Sequence, residues 1–160
     1  MSFFNSAFFI QLITSLITSV AFAIIFRIGK RHLLLVGICG TLTYAVYYTL
    51  FYFTSSLFVA AFISSMVTAL YAEISARLRH APTIIFVVPG IIPTVPGGSL
   101  YGGMRDLLLG NMNGAIENFS STVEVGIGIA GGIVTVSILY GIALDKIAKQ
   151  KKRISEIKRK

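Results

Sequence analysis

The stretch VPGIIPTVPGGSLYGGM, residues 88–104, decides how this chain folds. It places three prolines and five glycines in seventeen positions, between segments that are long and apolar. A proline inside a helix removes one backbone hydrogen bond and clashes with the carbonyl four residues earlier, at about 3 kcal/mol or more. The sequence therefore predicts that residues 89–98 are non-helical and join two half-helices.

The composition around this stretch is that of a membrane protein. Of the 160 residues, 55% are hydrophobic and 12% are charged, and the mean hydropathy is +0.82. Such values exclude an ordinary soluble domain and indicate a polytopic membrane protein. Cys39 is the only cysteine, so a disulfide within the chain is excluded.

Five segments have the length and apolarity of membrane spans. A helix that crosses the bilayer needs about 20 mostly apolar residues. The sequence predicts an all-α polytopic protein whose fourth span is broken, with a membrane domain at 1–144 and a basic tail at 145–160. The predicted spans are 6–26, 33–53, 57–76, 83–104 and 121–144.

The positive charges predict the orientation of these spans. With five crossings, all but Arg105 of the 14 Lys and Arg residues fall on one side of the membrane. Short cytoplasmic loops and tails are the segments that concentrate such residues. We expect the N-terminus outside and the C-terminus in the cytoplasm. The tail holds eight Lys and Arg directly after a span, which favours anionic lipid headgroups over nucleic acid as its partner.

Four of the spans have a small or polar face when successive residues are placed 100° apart. Small faces let helices pack closely in lipid, and they also suit the lining of a polar route, so both interpretations stay open. Tyr44 lies deepest among the tyrosines of the second span, where its hydroxyl needs a partner. The faces comprise Gln11, Thr14, Ser15, Thr18 and Ser19; Gly37, Thr41, Tyr44, Tyr48 and Tyr52; Ala61, Ser64, Ser65, Thr68, Ala69, Ala72 and Ala76; and Ser121, Glu124, Gly128, Gly131, Gly132 and Thr135.

The predicted break has a function in many transporters. Unwound backbone at membrane depth is tolerated only when it is buried in protein or lines a watery cavity. Pro96 suits the first turn of a second half-helix, and Gly97 and Gly98 would let a substrate carboxylate approach its free amides. The alternative is a kinked packing helix. The predicted substrate path comprises Pro89, Gly90, Pro93, Pro96, Gly97, Gly98, Tyr101 and Tyr44.

Two acidic residues are candidates for proton coupling. Glu73 lies near the cytoplasmic end of the third span, with Arg77 one turn away as a possible partner, and Glu124 lies near the outer end of the last span. Carboxyls at such depth often carry protons in transporters, although anchoring at the interface is the alternative. The two histidines lack metal-ligand spacing, and no nucleophile has an adjacent base. The sequence predicts no metal, no cofactor and no enzymatic activity.

Residues 72–104, AEISARLRHAPTIIFVVPGIIPTVPGGSLYGGM, resemble the bacterial threonine/serine exporter family, in its short C-terminal-half type. The likeness rests on the Ala-Pro, Pro-Gly-Ile-Ile-Pro and Val-Pro-Gly-Gly elements, followed by Tyr101 and Met104. The resemblance implies one half of a ten-helix transporter in the bacterial inner membrane. It also implies a larger five-span partner with a cytoplasmic domain. The implied activity is proton-coupled export of threonine, serine or a dicarboxylate such as succinate.

Two other functions fit the residues. A non-transporting assembly subunit would use the small faces, including the Gly-x-x-x-Gly pair Gly128 and Gly132, to pack against a partner. A homo-oligomeric channel would use the polar faces to line a pore.

Overall fold

The chain forms a bundle of helices. The computed structural model describes residues 6–157, with side chains at 8–143 and 146. Short turns connect the helices, and two segments are 3₁₀-helical. The elements are α1 (Ser6–Ile25), a 3₁₀ turn (Lys30–His32), α2 (Leu33–Thr54), α3 (Leu57–Arg79), α4 (Ile84–Ile91), a second 3₁₀ turn (Ile92–Thr94), α5 (Gly97–Leu108) and α6 (Met112–Ile157).

Four helices are long and apolar enough to cross a membrane, namely α1, α2, α3 and α6. The segment from Ile84 to Leu108 qualifies as a fifth span with a bend of 51° between its two parts. An all-α, multi-pass membrane protein is therefore confirmed. Helix α6 starts at Met112, nine residues before the predicted span, and continues past residue 144 into the predicted tail. The predicted contact of that tail with anionic lipid falls almost wholly on side chains outside the described ones.

Helices α3 and α6 run parallel, which shows how far the broken segment between them extends along the bundle. The backbone of Phe58, at the start of α3, meets Gly128 and Glu124 of α6, and Arg77, near the end of α3, lies over the ring of Tyr140. The chain between two parallel helices must return along the whole length of the bundle. Helices α4 and α5 together therefore traverse it.

The break itself is shorter than predicted. Residues 89–91 are α-helical and Ile92–Thr94 forms a 3₁₀ turn, so only Val95 and Pro96 leave the helical conformation. The prediction of a non-helical stretch over 89–98 is wrong in its extent, because Pro89 removes a single hydrogen bond from a helix that neighbours enclose. Pro93 sits at the start of the 3₁₀ turn, where no amide is needed. Val95 is extended, as expected for a residue before proline.

The core lies where α4 packs between α2 and α3. Phe86 of α4 is completely buried, together with Val36 of α2 and Ala72 of α3. A Cβ on Gly90 would come 2.7 Å from Cys39 Sγ and 3.3 Å from Thr68 Cγ2, so this glycine permits the close approach of α4. The first half of the broken segment is therefore fixed in the bundle.

The seam between α3 and α6 is also closely packed. A Cβ on Gly132 would overlap the Ser65 hydroxyl and the Phe62 carbonyl oxygen, and one on Gly128 would lie 3.0 Å from the Phe58 carbonyl oxygen. Ser65 donates a hydrogen bond to the Phe62 carbonyl at 2.9 Å. The Gly-x-x-x-Gly pair is therefore used inside this chain.

Helix α5 packs chiefly against the first turns of α6. Gly103 faces the ring of Phe119, 3.0 Å from the position of a Cβ. Asp106 is buried and accepts hydrogen bonds from Asn118 Nδ2 at 3.1 Å and from Arg105 at 3.2 Å. The second half of the broken segment is thus attached to α6, whereas the first half is attached to α2 and α3.

Candidate functional site

A cavity of about 160 Å³, lined mainly by residues with polar groups, opens between α1, α2 and the second 3₁₀ turn. We call it the α1–α2 cavity. Its lining comes from three parts of the chain that are far apart in sequence. The lining residues are Gln11, Thr14, Ser15, Thr18, Tyr44 and Pro93.

Helix α1 supplies four of these residues because of their spacing. Positions 11, 14, 15 and 18 are three and four residues apart, which places their side chains on one face of a helix. Thr14 donates to the Ile10 carbonyl at 2.8 Å, and Ser15 donates to the Leu12 carbonyl at 2.8 Å. These hydroxyl protons are satisfied within the helix, so the oxygen atoms remain as acceptors.

Helix α2 contributes Tyr44, which is half-buried. Its ring centroid lies 6.4 Å from that of Tyr47 and 6.5 Å from that of Tyr48, so aromatic neighbours hold the ring in place. Within residues 8–143, neither the Tyr44 hydroxyl nor the Gln11 amide makes a hydrogen bond. Both groups are therefore available to a bound molecule.

Two residues, Ser19 and Gly40, support the cavity next to Pro93. Ser19 and Gly40 are in contact, and a Cβ on Gly40 would overlap the Ser19 hydroxyl and lie 3.5 Å from Pro93 Cγ. The Ser19 side chain is fully buried, and its hydroxyl has no hydrogen-bond partner among the described residues. Gly40 thus sets the distance between α1, α2 and the proline that lines the cavity.

The other predicted path residues lie elsewhere. Pro89 and Gly90 are buried in the core, and Pro96 precedes the first residue of α5. Gly97 and Gly98 are exposed, with nothing within 4 Å of an added Cβ. Tyr101 is 72% exposed. Of the eight predicted path residues, the structure brings only Tyr44 and Pro93 to the α1–α2 cavity.

The start of α5 nevertheless has free amides. Gly97 donates to the Val95 carbonyl at 2.8 Å and Leu100 donates to the Pro96 carbonyl at 3.0 Å. Within the described chain, the amides of Gly98 and Ser99 have no acceptor. The predicted positive end of a half-helix is present, but it lies outside the cavity lining.

Glu124 has a structural contact. Its Oε1 accepts a hydrogen bond from the backbone N–H of Phe58 at 3.0 Å, in the first turn of α3. Ser56 accepts from Val59 N in the same turn at 3.4 Å. Negative groups are favourable at the N-terminus of a helix. Glu124 therefore joins α6 to the beginning of α3.

Glu73 and Arg77 do not form the ion pair that the sequence suggested. They lie one turn apart on α3, yet in the part of the chain that the structure describes the only salt bridge is Arg105 to Asp106. The Arg77 guanidinium instead lies 4.8 Å from the centroid of the Tyr140 ring. Glu73 and Arg77 both line a second cavity, at the end of the bundle where α4 begins.

The chemistry of the α1–α2 cavity is that of a binding site. Its lining offers an amide, a phenol and three aliphatic hydroxyls, and none of the six residues carries a charge. No group of three or more His, Cys, Asp or Glu is placed to hold a metal ion among the described residues. Such a lining can hold a small polar molecule by hydrogen bonds.

Sequence reasoning identified the polar face of α1 but did not place it in the substrate path. The available signal was Gln11, an amide in an otherwise apolar span. An amide costs more to expose to hydrocarbon than a hydroxyl that bonds its own helix. That difference separates the face of α1 from the serine-rich face of α3.

Comparison with known families gives one result that fits these features. The profile of the family described as threonine/serine exporter, ThrE, matches residues 11–139. Neither the comparison with curated proteins nor that with solved structures finds a match. The matched residues contain the α1–α2 cavity, the whole broken segment and the α3–α6 seam. The chain belongs to the threonine/serine exporter family.

Proposed function

We propose that this chain is one half of a two-chain secondary transporter that exports threonine and serine through the inner membrane of a bacterium. The family supports the class of activity and the amino acids. The observation that carries the site is the α1–α2 cavity, which gathers six polar or proline side chains at an apolar span.

The cost of leaving these groups in lipid supports a role in transport. Gln11 is exposed on α1, and its amide has no hydrogen-bond partner among the described residues. A polar group without a partner in hydrocarbon costs several kcal/mol. In contrast, the polar face of α3 is buried within the chain at Ser64, Ser65 and Thr68. The open face of α1 is therefore best explained by contact with water and substrate.

Size and charge favour a small amino acid. The cavity volume of about 160 Å³ is close to that of an engineered cavity of about 150 Å³ that holds benzene. A hydroxy amino acid is a zwitterion without net charge and bears a hydroxyl that matches this lining. Succinate bears two negative charges, and this side of the cavity offers no cation to balance them. The lining supports threonine or serine over a dicarboxylate.

The second half of the transporter would close the cavity. The family resemblance implies a larger partner with five spans and a cytoplasmic domain. Its presence explains why the lining of the α1–α2 cavity is open on one side. The proposed topology has the N-terminus outside and the C-terminus inside, so that the positive charges lie in the cytoplasm.

Proton coupling would use a carboxyl outside the α1–α2 cavity, since its lining has none. Glu73 and Glu124 remain the candidates. The hydrogen bond from Phe58 N–H engages Glu124, whereas Glu73 has no ion pair within the described chain. These contacts favour Glu73.

The assembly alternative loses part of its support. It drew on the small faces of the helices, including Gly128 and Gly132, and α3 occupies both of these glycines within this chain.

Transport in proteoliposomes that contain this chain and its partner tests the proposal. Labelled threonine should leave or enter faster than in empty liposomes, and Thr14→Val should lower the rate. Thr54→Val is the matched control, because Thr54 is also exposed and donates to the carbonyl four residues earlier, at 2.6 Å. Equal rates for threonine, serine and succinate, or equal effects of the two variants, would contradict the proposal.

A further inference from the structure

The second cavity has charges of both signs. It has a volume of about 420 Å³ and lies between the end of α3, the loop that follows it and the start of α4. Glu73, Arg77, His80 and Thr83 are its polar lining residues. We call it the α3–α4 cavity. In the proposed topology it faces the cytoplasm.

We propose that the α3–α4 cavity binds the zwitterionic head of an α-amino acid, with the ammonium group at Glu73 and the carboxylate at Arg77. This inference rests on the proposed function, which supplies amino acids as the cargo. It adds a second binding site, distinct from the α1–α2 cavity, at which a substrate is loaded before it crosses.

The two charges are available because they do not neutralise each other. Acidic and basic side chains four residues apart on a helix often pair. Here no ion pair joins Glu73 and Arg77 among the described residues, and the Arg77 guanidinium lies over the Tyr140 ring at 4.8 Å. The contact with α6 keeps the guanidinium apart from the carboxylate. A ligand with an ammonium group and a carboxylate group attached to the same carbon atom can bridge Glu73 and Arg77.

The start of α4 adds donors to the same cavity. Pro82 has no amide, and within the described chain the amides of Thr83 and Ile84 have no acceptor. The Thr83 side chain does not cap α4, so its hydroxyl is free for a ligand. These groups suit a carboxylate and a neighbouring hydroxyl, and the charged pair on α3 suits the rest of the molecule.

A phospholipid offers the same chemistry. The headgroup of phosphatidylethanolamine also has one anionic and one ammonium group. The test must therefore separate a free amino acid from this lipid.

The experiment measures equilibrium binding of tritiated threonine to the full chain in nanodiscs of phosphatidylcholine alone. Glu73→Gln and Arg77→Gln should each weaken binding about tenfold, the effect of one lost charged hydrogen bond. Glu117→Gln and Arg79→Gln are matched controls, since neither Glu117 nor Arg79 lines the cavity. The controls should bind threonine as the unmodified chain does.

Two analogues assign the charges. Threonine methyl ester lacks the carboxylate, so Arg77→Gln should not weaken its binding further. N-acetylthreonine lacks the ammonium group, so Glu73→Gln should not weaken its binding further. This pairing is specific to the α3–α4 cavity, because the α1–α2 cavity contains neither residue.

Two outcomes would overturn the inference. One is unchanged threonine binding in both charge variants. The other combines two results. Phosphatidylethanolamine stays bound to the chain in native mass spectrometry and is lost in Arg77→Gln, and threonine binding does not change in Glu73→Gln. The assay needs no gradient, so binding at this cavity without flux in proteoliposomes would count against the proposed function alone.

Discussion

Helices α1 and α3 both have a face of serines and threonines, but the two faces have different surroundings. On α3 the face is covered by α6 around Ser65, where Gly128 and Gly132 let the two backbones meet, and by α2 and α4 at Thr68. On α1, Ser15 and Ser19 are buried, whereas Gln11 and Thr14 are exposed, and all of the face except Ser19 lines the α1–α2 cavity. A polar face becomes a packing seam where small residues oppose it, and it stays open where larger polar side chains have no neighbour.

The seam should be the most sensitive part of the molecule. Gly132→Val places side-chain atoms on the Ser65 hydroxyl and the Phe62 carbonyl, so we expect a loss of at least about 3 kcal/mol, at the upper end for overpacking. Thermal unfolding in detergent measures this loss of stability. Gly126→Val is the control, because nothing lies within 4 Å of a Cβ at Gly126. Equal melting temperatures for the two variants would show that α3 and α6 are not closely packed at Gly132.

The contact between Gly40 and Ser19, beside the α1–α2 cavity, should have the second-largest effect on stability. Gly40→Ala pushes against Ser19 and towards Pro93, which should cost about 2 kcal/mol and reduce threonine flux by displacing the cavity wall. Ser19→Gly alone should cost about 0.5 kcal/mol through helix propensity. The double variant should recover both stability and flux relative to Gly40→Ala. Additive losses would show that the two residues do not share a contact.

Glu124 offers a smaller test, between a helix cap and a proton carrier. Glu124→Leu removes the acceptor of the Phe58 N–H and should cost about 1 kcal/mol, as for other lost caps. Glu124→Gln keeps an acceptor oxygen, so its melting temperature and its proton-driven flux should stay close to those of the unmodified chain. Loss of proton-driven flux in Glu124→Gln with the fold intact would assign the coupling proton to this residue instead.

The smallest effect is expected in the first turn of α5, directly after the break. Gly98 is exposed with nothing near an added Cβ, so Gly98→Ala should change stability by less than about 1 kcal/mol, with the sign towards greater stability in a helix. Melting temperatures of the two proteins check this. A large loss would show that α5 is covered by a neighbour at this point.

Much of the fold follows from local properties of the sequence. Apolar runs of sufficient length predicted the helices at 6–25, 33–54 and 57–79 closely, and the prolines predicted a break in the next segment. The extent of the break depends on burial. Pro89 stays helical because the neighbours of α4 enclose it, and only Val95 and Pro96 are free to unwind. Such enclosure is a tertiary effect that the local sequence does not contain.

The same reason limits prediction of the site. Tyr44 and Pro93 stood out as a deep tyrosine and a helix breaker, and both line the α1–α2 cavity. Thr14 and Thr18 looked the same in sequence as Ser64 and Thr68 on α3. Their surroundings in the folded chain distinguish them, because Thr68 shares a hydrogen bond with Thr43 of α2 at 2.6 Å and lies against Gly90 of α4, whereas Thr14 is exposed.

If the α1–α2 cavity is the substrate site, the polar face of α1 meets water and substrate while the opposite face meets lipid. Single cysteines at neighbouring positions test it most directly, since Cys39 is fully buried. A charged, membrane-impermeant thiol reagent should label Thr14→Cys and should not label Ile13→Cys, although Ile13 is 62% exposed in the isolated chain. Added threonine should slow the labelling of Thr14→Cys. Equal labelling at the two positions, or labelling of Thr14→Cys that threonine leaves unchanged, would show that the polar face of α1 does not line a substrate site.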